Sequence, residues 1–98
     1  MAEIILKTNK PGKAAEIVKE VLEREKLRIK YSLDLAKSKL RKFEKKYKIP
    51  SKEFIDSWSA EDLKGGDMEY VEWAGEYRFS LTLNERLDAL RSIKHAAP

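Results

Sequence analysis

The apolar positions Ile29, Leu33, Ala36, Leu40, Phe43 and Tyr47 recur at intervals of 4, 3, 4, 3 and 4 residues, and neither proline nor glycine interrupts Lys13 to Tyr47. Such spacing keeps one stripe on one side of an α-helix and predicts a long helix with a coiled-coil-like seam. At about 1.5 Å per residue it would be roughly 50 Å long. The stripe continues backward through Leu22 and Val18, interrupted at Glu25 and Lys26. A second row, Leu27, Tyr31 and Leu35, widens the apolar face in the middle, so more than one neighbour is expected there.

Before this helix, Glu3 to Thr8 is a short β-branched apolar run, closed by the breaker sequence Asn9-Lys10-Pro11-Gly12. It predicts either one strand or a loose arm over residues 1–12: a lone strand cannot satisfy its own backbone, so it must pair with another chain, add to a partner's sheet edge, or remain loose. After the helix, Ile49-Pro50-Ser51 predicts a stop and a restart, with Ser51 as a cap and about two turns from Lys52 to Trp58. Ser59-Ala60-Glu61-Asp62 has the composition to cap one further turn, which Gly65-Gly66 ends.

Asp67 is the expected cap of the last long segment, whose rows are Tyr70, Trp73, Ala74, Tyr77, Leu81 and then Leu83, Leu87, Leu90. The two rows drift apart at Ser80 to Asn84, where Thr82 and Glu85 have capping-box spacing, so a kink or restart is expected. Tyr77 to Leu83 also alternates as a strand would. Helix is the preferred reading, because both flanks are helical and a seven-residue strand there would need a partner strand. The expected fold is therefore mainly all-α: a single domain over residues 1–98, built as a long helical hairpin with a short helical connector. Two helices make a thin core, and a chain of 98 residues is marginal alone, so completion by dimerisation is expected.

Charge adds a polarity to this picture. Residues 1–48 carry 15 Lys/Arg against 7 Asp/Glu, and residues 49–98 carry 6 against 10, within a net charge of +4. Either the two halves face each other or each addresses a different partner. Charged residues make up 39% of the chain, glutamine is absent and Asn9 and Asn84 are the sole asparagines, a bias of proteins from hot environments. No run approaches the roughly 20 apolar residues of a membrane span, and no basic leader precedes a long apolar run, so a cytoplasmic protein without membrane contact is expected.

Candidate chemistry is sparse. The chain has no cysteine, and its one histidine is His95, which argues against a zinc site, a cysteine nucleophile and a histidine base. Glu69, Glu72 and Glu76 share a helix side, but carboxylate-bridged metal sites in bundles also use histidines, so no metal and no cofactor is expected. Gly65-Gly66 lacks the Lys-Ser or Lys-Thr of a phosphate loop, and no catalytic residues are assigned. Lys37, Arg41, Lys45 and Lys48 form a continuous basic line opposite Ala36, Leu40, Phe43 and Tyr47. That line fits a solvated face, an acidic protein surface or a phosphate backbone. The aromatics Phe43, Tyr47, Phe54, Trp58, Tyr70, Trp73 and Tyr77 gather around the connector, where they would close the hairpin tip or anchor an interface.

Residues 42–90 contain Glu44 to Tyr47, Ser51-Lys52-Glu53-Phe54, Trp58, Gly66-Asp67 and Glu72-Trp73-Ala74-Gly75. In these elements the chain resembles a group of small prokaryotic antitoxin-like proteins of type II toxin–antitoxin systems. The resemblance implies a protein that binds and neutralises a toxin encoded beside it. Pro50 and the Ser80-Leu81-Thr82-Leu83 segment depart from the pattern, and the amino-terminal run is not part of it.

Three functions follow as expectations. The first is an antitoxin-like interaction protein, not an enzyme, which contacts a cognate toxin through Trp58, Glu69, Glu72, Trp73 and Glu76. Many toxins act on RNA and present basic surfaces, which a carboxylate row beside aromatic anchors would suit. The second is a nucleic-acid-binding regulatory module using Lys37, Arg41, Lys45 and Lys48, with weak, salt-dependent binding. A ribbon-helix-helix fold is disfavoured, because the first helix runs on without the required turn. The third is a scaffold subunit.

Overall fold

The computed structural model describes residues 2–63 and 65–93, and His95 lies outside the described residues. Helix α1 spans Pro11–Tyr47, α2 spans Ser51–Ser57, a single 3-10 turn covers Ala60–Leu63, and α3 spans Asp67–Ser92. The architecture is an all-α hairpin: α1 runs out, the connector turns the chain, and α3 returns along α1. The molecule is 61 Å long and 25 × 18 Å across.

The stripe read from the sequence is the packing face. Ile29, Leu33, Ala36 and Leu40 of α1 are buried, as are Trp73, Ala74, Leu83 and Leu87 of α3. They form two clusters. One, along the shaft, joins Ile29 and Leu33 to Leu83 and Leu87, with Leu90 packed against it. The other, at the tip, joins Leu40, Ile49, Phe54, Leu63, Trp73 and Ala74, flanked by Phe43, Tyr47, Ile55, Trp58, Tyr70 and Tyr77. The second row on α1 meets nothing: Leu27, Tyr31 and Leu35 are exposed.

Several local expectations are corrected. The amino-terminal run forms no strand: residues 2–8 have no regular structure and are exposed, because no other extended segment is described beside them. The breaker sequence starts α1, since proline is favoured at the first helical position, where its missing N–H costs nothing. Ser51 does not cap α2. Pro50 takes that place and Ser51 is the first helical residue. Asp67 likewise is the first residue of α3 behind Gly66, where its charge meets the helix dipole without a side-chain cap bond.

The drift at Ser80 to Asn84 makes no break in α3. The Ser80 hydroxyl donates to the Tyr77 carbonyl at 2.6 Å and the Thr82 hydroxyl to the Arg78 carbonyl at 3.2 Å, so both bond back to the helix they sit in. Two backbone positions set the turns. Lys48 ends α1 in the left-handed region at φ 58°, and Gly65 takes φ 89° before α3. At Gly66, an added Cβ would stand 3.2 Å from the Leu63 carbonyl oxygen, so the close turn favours glycine.

Candidate functional site

The hairpin tip is organised around Trp73, which has no exposed surface. Its ring stacks on Phe54 with centroids 3.8 Å apart and planes 3° from parallel, and it also stacks on Phe43 at 5.4 Å and Tyr47 at 5.5 Å. The indole N–H needs a partner in such an apolar setting. It donates to the Ser51 hydroxyl oxygen at 2.9 Å, and Ser51 donates both its hydroxyl and its backbone N–H to Glu44 Oε2 at 2.8 Å. One polar chain thus crosses α1, α2 and α3, each bond polarising the next.

The elements that carry the antitoxin-like resemblance meet here. Glu44 opens the Glu-x-x-Tyr segment, Ser51 opens the Ser-x-Glu-Phe segment, and Trp73 sits in the Glu-Trp-Ala-Gly box. Their contact was not legible from spacing alone, because it crosses the Lys48-Ile49-Pro50 turn. The signal that pointed to it is that each of the first two boxes starts on one of the bonded residues.

The acidic residues of α3 divide. Glu69 accepts from Lys46 Nζ at 2.6 Å and from the Tyr47 hydroxyl, and Glu76 pairs with Lys39 at 3.2 Å. Glu72 is exposed. The Lys46 ammonium, followed by the Tyr47 hydroxyl, holds the Glu69 carboxyl below the usual carboxylate range. Glu69 in turn raises the Tyr47 hydroxyl and the Lys46 ammonium above their ordinary values. Two carboxylates of the sequence-derived contact set are therefore bound to α1, and Trp73 lies inside the tip. Trp58 is half-buried, its ring 6.3 Å from both Tyr47 and Phe54. Of the five residues Glu72 is exposed, Trp58, Glu69 and Glu76 are half-buried, and Trp73 is buried.

The basic line has the opposite character. Lys37, Arg41, Lys45 and Lys48 are all exposed, and none is in an ion pair with a described residue. Arg41 and Lys45 border a shallow open depression, together with Ser38, Lys42 and Glu44. The Glu44 carboxylate in it is already engaged by Ser51.

A further surface, the arm, lies outside the candidate site residues, although the sequence already offers it as a segment for pairing with another chain. Ile4, Ile5 and Leu6 lie in solvent, Ile4 with 90% of its surface exposed, and Ile17 and Val21 follow on the first turns of α1. Among the described residues, no three acidic or imidazole groups converge as metal ligands would, and no helix is long and apolar enough to cross a membrane. Comparison with protein-family models, curated proteins and solved structures returns no match to this chain.

Proposed function

We propose that this chain is an antitoxin-like interaction protein of the cytoplasm, which binds and neutralises a toxin encoded nearby and performs no catalysis of its own. The observation that supports this reading is the exposed apolar arm. Three consecutive large apolar residues, Ile4, Ile5 and Leu6, stand in water at the start of a chain whose core lies elsewhere. An extended β-branched segment gains backbone partners and pockets by adding to the sheet edge of another protein. The arm, continued by Ile17 and Val21 and supported at the other end of the molecule by Trp58 and Glu72, is the proposed contact surface for the toxin.

The resemblance supplies the kind of partner. Its motifs build the tip, so they specify a scaffold shape and leave the surfaces away from the tip to vary with the toxin. Co-expression with the neighbouring gene product, followed by pull-down at low salt, tests the reading. The full chain is expected to retain that product, and a chain lacking residues 1–9 is expected to lose it. Failure of the full chain to retain it overturns the proposal.

One observation favours a second reading, nucleic-acid binding. Lys39 and Lys46 are paired with carboxylates, whereas the line Lys37, Arg41, Lys45 and Lys48 is exposed and forms no ion pair among the described residues. Such a line neutralises phosphates without reading base edges, so its binding would be weak, non-specific and steeply salt-dependent.

A further inference from the structure

Helix α3 carries a second seam that its own hairpin does not use. Starting at Met68, every fourth and third residue in turn is exposed as far as Ile93. In heptad terms, one set of positions is Glu72, Phe79, Arg86 and Ile93, and the other is Met68, Gly75, Thr82 and Ala89. Met68 is 84% exposed and Phe79 is 49% exposed. Its apolar members are Met68, Phe79, Ala89 and Ile93, interspersed with Glu72, Gly75, Thr82 and Arg86, on a side of α3 that stays exposed.

Gly75 is the second observation. Glycine is the least favourable residue in a helix interior after proline. Nothing in the chain requires it here: a Cβ added at Gly75 would stand in open space, and its φ is not positive. The glycine leaves this point of the seam open to close approach from outside.

We infer that this seam is the interface with a second copy of the chain, the two α3 helices packing antiparallel about a two-fold axis between Phe79 and Thr82. In that register the three inner pairs each set a large residue against a smaller one of the other copy, and Met68 meets Ile93 at the two ends. Phe79 lies against Thr82, and Arg86 lies over Gly75. Because Gly75 has no side chain, Arg86 reaches past it to Glu72, one turn away on the other copy. Glu72 and Arg86 are the two charged groups of the seam, and neither has an ion-pair partner among the described residues. Arg86 contributes least among the groups that hold the Glu25 carboxyl below its ordinary range, and Glu25 is hydrogen-bonded to Arg28. A parallel pairing would set Arg86 on Arg86 and Glu72 on Glu72, so the charges select the antiparallel one.

The surface area agrees. A compact protein of 11.4 kDa exposes about 5,800 Å², whereas this chain exposes 8142 Å². An interface of standard size, about 1,200–2,000 Å² shared by two partners, would bury about 600–1,000 Å² on each chain, which is less than half of that excess. The inference goes beyond toxin binding, since it assigns the face, register and direction of self-association.

Sedimentation equilibrium of the full chain, with no other protein present, tests it. The parent is expected to be a dimer in the micromolar range. Glu72→Arg and Arg86→Glu should each raise the dissociation constant about tenfold or more, and the double variant should return it near the parent value. Gly75→Gln should give a monomer that is at least as helical and as heat-stable as the parent, which separates interface loss from unfolding. A monomeric parent, or charge variants whose effects add without rescue, overturns the assignment. Toxin capture is measured separately with Arg86→Glu and Gly75→Gln, whose positions lie outside the proposed toxin contact, so that failure of one reading does not decide the other.

Discussion

The Trp73 indole donates its hydrogen to the Ser51 hydroxyl at 2.9 Å inside the hairpin tip, and the same hydroxyl donates to Glu44 at 2.8 Å. Ser51→Ala leaves a buried indole N–H without a partner, at a cost of about 1–3 kcal/mol. Trp73→Phe removes the donor together with the ring area. Urea unfolding of the two single variants and the double should show coupling of about 0.5–1.5 kcal/mol. Additive effects would mean that the bond does not hold α2 against α3.

The Glu69 cluster gives the tip a pH dependence at both ends. The carboxyl is held below its ordinary range, chiefly by Lys46 and then by Tyr47, so its stabilising effect is present above about pH 4 and fades as the pH falls through the lowered value. Tyr47 and Lys46 are raised by Glu69, so their effect is present below about pH 10 and is lost on further rise. Glu69→Gln should flatten both flanks of a plot of melting temperature against pH. An unchanged profile would contradict the contacts.

Lys48 closes α1 in the left-handed region at φ 58°, which strains a residue with a Cβ. Lys48→Gly is expected to stabilise the fold by roughly 0.5–1 kcal/mol, measured by thermal or urea melts. The same substitution removes one cation of the basic line.

Any binding of the chain to RNA or DNA should weaken steeply with salt. Replacing Lys37, Arg41 and Lys45 together by glutamine should lower the slope of log affinity against log salt by about 2–3 while leaving the melt unchanged, since all three side chains are exposed. Tight, sequence-selective binding at physiological salt would instead promote the regulatory reading above toxin neutralisation.

Much of the fold was legible in the sequence for a simple reason. A helix buries a stripe at 3.6-residue spacing, and Ile29, Leu33, Ala36 and Leu40 lie inside because their spacing places them on one side. The same logic located α3 and the aromatic tip. It failed where more than one partner could satisfy a group. Ser51 has the composition of a cap, but its hydroxyl is taken up by a carboxylate on α1 and an indole on α3. Glu69, Glu72 and Glu76 share one side of a helix in any helical reading, yet α1 supplies cations to Glu69 and Glu76 and none to Glu72. Periodicity fixes which side of a helix a residue occupies, and it says nothing about how far the neighbouring helix extends across that side. The relative placement of α1 and α3 decided which carboxylates were spent inside the chain, that Trp73 is core, and that a second seam on α3 was left facing solvent.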